Sequence, residues 1–141
     1  MDNKVKVLLT GAGAPGGPGI IKALKLEKKI DLFICDANPK ATGRYLIPER
    51  FHTIPKANDP NFIQELFVLC KKFEIDILLP LVTKELFKFS KHKKEFNKLG
   101  IKIIVSDHDS LKVSNNKGLL YQHLTKYKIE LPQYFIIENI E

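Results

Sequence analysis

Gly11, Gly13 and Gly16 stand in G-x-G-x-x-G spacing directly after the apolar run Val5–Leu9. A turn of this kind carries a strand into a helix and turns backbone N–H groups toward an anion at the positive helix end. Dinucleotides, phosphates and carboxylates are all served by such turns. Asp36 ends a second apolar run, Asp31–Cys35, where a dinucleotide-binding domain places its ribose-binding carboxylate. Asp36-Ala37-Asn38-Pro39 is equally good turn chemistry, and both roles stay open. Thr83 and Glu85 follow Leu79-Pro80-Leu81-Val82, at a strand-to-helix turn. There Thr83 reads as an N-cap and Glu85 as an acid favoured by the helix dipole, with ligand binding the alternative for Glu85. Lys117 follows Asn115-Asn116 at a helix start, where the dipole disfavours a cation unless an anion is near.

Other chemistries find little. No G-x-S-x-G elbow occurs, His52, His92, His108 and His123 are scattered without metal spacing, and Cys35 has no histidine nearby in sequence. No catalytic residue and no metal ligand is therefore assigned. The loop also departs from a tight pyrophosphate turn: Pro15 and Pro18 stiffen it, and Gly16-Gly17-Pro18-Gly19 makes a longer entry.

These residues need a scaffold of alternating elements. Val5–Thr10, Asp31–Cys35, Phe51–Ile54, Asp76–Leu79 and Ile101–Val105 read as strands, and Pro132–Ile137 as one more. Helices are expected at Gly17–Lys28, with Ile20, Ala23 and Leu24 inward, and from Asp59-Pro60 through Phe62, Ile63, Leu66, Phe67, Cys70 and Phe73. A lysine-rich helix covers Lys84–Lys98 with Gly100 as its C-terminal cap, and Leu119, Leu120, Leu124 and Tyr127 mark another. Such alternation predicts an α/β, Rossmann-like, doubly wound parallel sheet, whose strand ends bring Gly11–Gly16, Asp36, Leu81–Glu85 and Ser106-Asp107 to one edge.

Composition narrows the partners. At 141 residues, 44% hydrophobic and 28% charged, the chain suits one compact core. The net charge of +7 comes largely from Lys88, Lys91, Lys93, Lys94 and Lys98, interleaved with Phe87, Phe89 and Phe96; this reads as a solvated helix face. Arg44 and Arg50 are the only arginines, so nucleic acid is not an expected partner. No apolar run reaches a membrane span or a signal-peptide core, and Cys35 and Cys70 read as buried reduced thiols of a cytoplasmic protein.

Val7-Leu8-Leu9-Thr10-Gly11-Ala12-Gly13-Ala14-Pro15-Gly16-Gly17 and Cys35-Asp36-Ala37-Asn38-Pro39-Lys40-Ala41-Thr42-Gly43-Arg44-Tyr45 resemble the N-terminal (preATP-grasp) domain of ATP-grasp ligases. The likeness is to carbamoyl-phosphate-synthase-large-subunit-like proteins and pyrrolysine-pathway ligases. Ile77–Leu86 and Val113-Ser114-Asn115-Asn116-Lys117 continue it in order. The resemblance implies a preATP-grasp domain over 1–113 and the start of an ATP-grasp domain over 114–141, cut short. It implies ATP-dependent activation of a small carboxylate as an acylphosphate, which an amine or other nucleophile attacks. It places Lys117 on the ATP phosphates, with Asn116 where the family usually has Asp, and makes Gly11, Gly13, Gly16, Asp36, Thr83 and Glu85 candidate substrate or anion contacts. ATP and Mg²⁺ would belong to the full-length enzyme, with no tight binding by this segment alone. Its partner would be a downstream or separately encoded ATP-grasp domain, and a lone terminal strand would make a homodimer plausible. The competing expectation is a free-standing NAD(P)- or other nucleotide-binding domain built on Gly11, Gly13, Gly16 and Asp36.

Overall fold

The computed structural model describes residues 4–135 and residue 137. Five parallel strands form one sheet: β1 (Val5–Thr10), β2 (Ile30–Asp36), β3 (Phe51–Thr53), β4 (Ile77–Pro80) and β5 (Lys102–Ile103), in the order β3-β2-β1-β4-β5. β1 is central. It pairs with β2 from Val5↔Ile30 to Thr10↔Cys35 and with β4 from Val7↔Ile77 to Thr10↔Pro80. A strand covered on both faces cannot alternate apolar with polar, and Val7, Leu8 and Leu9 are accordingly all buried.

The pleat divides those side chains between two cores. Leu8, Phe33, Cys35 and Leu78 face a core completed by Phe62, Leu66 and Cys70 of α2 (Phe62–Phe73) and Phe89 and Phe96 of α3 (Thr83–Lys98). Val7, Leu9, Leu32 and Ile34 face Ile21 of α1 (Gly17–Leu26) and Ile47. The doubly wound α/β sheet is therefore as the alternation predicts. The chain runs β1→β2→β3 to one side and then returns to β4 beside β1. The β1/β4 junction is the switch point at which such sheets open a crevice.

Several local expectations are corrected. α1 ends at Leu26 rather than Lys28, and it buries Ile21 where Ala23 was expected; Ile21 stands one turn beyond buried Gly17, whereas Ala23 is rotated to solvent. β5 keeps only Lys102–Ile103 of the expected Ile101–Val105. Ile101 N–H is taken by Phe96 O at the helix end, and Val105 N–H by Ile103 O in a turn. Gly100 has φ +78° after α3, as a helix-ending glycine should. Two lysines of α3 do more than face water: Lys93 Nζ donates to Val105 O at 2.6 Å, and Lys88 Nζ to Asp59 O at 3.0 Å. Cys35 and Cys70 are buried free thiols.

The chain divides into two compact units, the sheet unit ending at Val105 and a second beginning at Ser106. The second holds α4 (His108–Ser114), which the sequence reading lacked, and α5 (Lys117–Lys126). Asp107 caps α4 by accepting from Ser110 N–H at 2.9 Å, and Asn116 caps α5 by accepting from Leu119 N–H at 3.1 Å. The strand expected over Pro132–Ile137 is not formed by Pro132–Phe135 or Ile137; Ile136 lies outside the described residues.

Candidate functional site

At the carboxyl ends of β1, β2 and β4 lies a cavity of about 660 Å³. Gly11, Asp36, Lys56, Val82, Lys84 and Glu85 are among its lining residues. Gly11 is the first residue past β1. Its φ of +71° turns the chain away from the sheet, and a Cβ there would stand 2.4 Å from Val82 Cγ2. Only glycine satisfies both demands.

Glu85 occupies the first turn of α3 and is 6% exposed. Thr10, at the end of β1 and fully buried, donates from Oγ1 to Glu85 Oε2 at 2.5 Å. Burial pushes the Glu85 carboxyl up to about 7; the Thr10 bond opposes that rise, and the negative charge of Asp36 adds to it. The same acidic floor, with burial as the larger cause, raises the Cys35 thiol well above its ordinary value. A thiol in that state is not an activated nucleophile.

Asp36 closes a turn. Its Oδ2 accepts from Gly13 N–H at 2.7 Å and its Oδ1 from Asn38 N–H at 2.8 Å. Gly13 lets the two loops meet, since a Cβ there would lie 3.0 Å from Ala41 Cβ and 3.2 Å from Asp36 Oδ2. The other loop amides are also engaged: Ala12 N–H donates to Cys35 O, Ala14 N–H to Gly11 O and Gly17 N–H to Ala14 O. Pro15 and Pro18 have no N–H to offer. The glycine loop thus spends most of its donors on itself and on the end of β2, unlike a turn built to wrap a pyrophosphate.

The structure brings Gly11, Asp36 and Glu85 to one cavity. Gly13 reaches it only through Asp36, and neither Gly16 nor Thr83 lines it. Thr83 is not the N-cap: that position is Val82, which offers no side-chain acceptor, so α3 starts uncapped beside the cavity. Lys117 is exposed at the start of α5, in the second unit. Thr10, Lys56 and Lys88 were missed. Thr10 carried a legible signal, a lone hydroxyl closing an apolar strand before the glycine turn. Lys56, after Pro55 in a loop, carried none. Among the described residues no group of three or more His, Cys, Asp or Glu side chains could hold a metal ion.

A five-stranded parallel sheet with a cavity at its switch point and a glycine turn after β1 defines a Rossmann-like α/β domain. Residues 7–104 match the family described as PylC-like, N-terminal domain. The chain belongs to that family, the N-terminal domain of ATP-grasp ligases. Its fold is also that of N5-carboxyaminoimidazole synthase from Aspergillus clavatus, a structure in complex with ADP and 5-aminoimidazole ribonucleotide. There the TM-score is 0.61 and identity 18% over 94% of this chain and 32% of that one. A dTDP-glucose 4,6-dehydratase from Bacillus anthracis, in complex with NAD, aligns at TM-score 0.49 and 11% identity, over 70% of this chain and 36% of that one. A Gfo/Idh/MocA family oxidoreductase from Vibrio cholerae aligns at TM-score 0.49 and 19% identity, over 85% and 36%. This chain spans about a third of the length of these structures. No curated protein matches its sequence.

Proposed function

We propose that this domain is the substrate-side part of an ATP-dependent carboxylate–amine ligase of carbamoyl-phosphate-synthase-like type, working through an acylphosphate. What carries this reading is the disposition of polar groups at the carboxyl edge. Glu85 and the exposed Lys56 and Lys84 open on the cavity, while Ala12, Gly13, Ala14 and Gly17 of the glycine loop have committed their N–H groups to protein acceptors. A cavity of this size with a few convergent charges suits a small polar substrate. In this reading Gly11 and Glu85 contact substrate, and Gly13 and Asp36 hold the loop that shapes the cleft. Gly16, Thr83 and Lys117 keep the anion and ATP-phosphate roles that the resemblance gives them.

In this reading the sheet unit does not hold ATP with Mg²⁺. Ala12, Gly13, Ala14 and Gly17 have already spent their N–H groups on protein acceptors, and among the described residues no group of three or more His, Cys, Asp or Glu side chains could hold the ion. The phosphoryl chemistry is accordingly assigned to an ATP-grasp domain, downstream or separately encoded, and ligation by this segment alone is not expected. The NAD(P) alternative would ask Asp36 to take a ribose hydroxyl with both oxygens already holding backbone N–H groups.

The test has two arms. The native gene product, sized by mass from its source cell, is assayed for ADP release that depends on a small carboxylate. This chain is melted with NAD⁺ and NADP⁺. Carboxylate-dependent ADP release with no shift from either dinucleotide supports the ligase. Stabilisation of about 2.7 kcal/mol by a dinucleotide at a hundred times its Kd would overturn it.

A further inference from the structure

Glu85 has a second oxygen with no donor among the described residues. Oε2 is taken by Thr10, and Oε1 is not among the buried atoms left unpartnered, so it is reached from the cavity that Glu85 lines. The groups facing this carboxyl are Thr10 from β1, Cys35 and Asp36 from β2, Lys84 and Lys88 from α3, and Lys56 from the loop after β3. Most are already committed. Asp36 holds two backbone amides, Lys88 holds Asp59 O, and the Cys35 thiol stays neutral. Lys56 and Lys84 are exposed and stand in water at the mouth. Among the described residues the buried part of this cavity therefore carries the Glu85 carboxyl, with half-buried Asp36 beside it and no buried cation, and one oxygen of Glu85 is its open acceptor.

We propose that Glu85 is a receptor for a primary ammonium group of the ligand, gripped by the carboxylate that Thr10 orients at the floor of the cavity. This deepens the reading of the cavity as a substrate cleft and rests on it. A buried carboxylate accepting from an ammonium forms a charge-assisted bond, and Lys56 and Lys84 at the mouth leave room for an anionic end of the same molecule. Because burial raises this carboxyl to about 7, a share of the molecules holds a proton there near neutrality. Seating an ammonium requires the ionised form, so the proton leaves to solvent as the cation arrives. A bound anion would do the reverse and take a proton up.

The experiment follows the carboxyl carbon of Glu85 by NMR in this chain between pH 5 and 9. It is recorded alone, with excess n-butylammonium, and with excess butyrate. The account expects n-butylammonium to lower the Glu85 midpoint by about one pH unit, which is about tenfold tighter binding to the ionised form. Butyrate should leave the midpoint in place. Glu85→Gln should bind n-butylammonium at least tenfold more weakly, read from the Thr10 amide shift of a folded protein. Thr10→Val, which keeps the carboxyl but frees its orientation, should weaken binding less than Glu85→Gln. A midpoint unmoved by n-butylammonium, or raised by butyrate, overturns the assignment. Carboxylate-dependent ADP release is read separately on the native gene product. An unmoved midpoint beside intact ADP release would therefore reject the ammonium receptor and leave the ligase standing.

Discussion

Thr10 Oγ1 and Glu85 Oε2 meet at 2.5 Å, joining the last residue of the central strand to the first turn of α3 beneath the cavity. The pair couples the switch point of the sheet to the helix that walls the cleft. Most of what the structure says about function follows from this contact and from the burial around it.

Glu85 makes stability depend on pH with a definite sign. Its carboxyl is raised from 4.5 to about 7 by burial, so the folded state holds this proton more tightly than the unfolded chain. The contribution is complete below about 4.5, falls as pH rises through 7, and amounts to roughly 3 kcal/mol. Glu85→Gln keeps an acceptor for Thr10 and removes the titration. Urea unfolding at pH 5 and 8.5 should show the wild type losing stability between the two values and the variant losing roughly 2.5 kcal/mol less, part of the effect being already spent at pH 5. Equal losses would mean the carboxyl is solvated.

Gly11→Ala meets two obstacles, the positive φ and Val82 Cγ2 at 2.4 Å. The left-handed backbone alone costs an alanine about 1–2 kcal/mol, and the contact adds to it. Combining Gly11→Ala with Val82→Ala should recover the steric part and leave about 1 kcal/mol of loss. Full recovery in the double variant would show that the backbone conformation is not what holds glycine there.

Asp36→Ala removes the acceptor of Gly13 and Asn38 N–H groups at once. The expected loss is about 2 kcal/mol, with faster hydrogen exchange at both amides. Unchanged exchange at Gly13 would show that Asp36 is free for a ligand.

Lys88 and Lys91 share a helix but not a role. Lys88 Nζ donates to Asp59 O and lies 5.8 Å from the Phe62 ring centroid, whereas Lys91 is exposed. Lys88→Met should cost about 1 kcal/mol and speed proteolysis of the 55–61 loop that walls the cavity. Lys91→Met should be within about 0.5 kcal/mol of the wild type. Similar behaviour of the two would return Lys88 to the solvated face.

The sheet was legible because its strands are covered on both faces. Val7-Leu8-Leu9 and Leu32-Phe33-Ile34-Cys35 can be little else once glycine and proline punctuation alternates them with helices. Glu85 and Asp36 were legible as types at strand ends, but not which would be open. That depends on Gly13 and Asn38 amides reaching one carboxylate and a threonine hydroxyl, 75 residues away in sequence, reaching the other. Thr83 was misjudged because its hydroxyl suits a cap, and only the backbone shows the helix beginning at Thr83 itself, one residue early for that role. α4 went unseen for want of length, although Asp107 and Ser110 held its capping signal in plain view.

The most direct measurement traps the intermediate. The native gene product, supplied with ATP, Mg²⁺, a panel of small carboxylates and hydroxylamine as surrogate nucleophile, should form an acyl hydroxamate and ADP in equal amounts. ADP without hydroxamate, or neither with any carboxylate while NAD(P)⁺ stabilises the domain, would contradict the account.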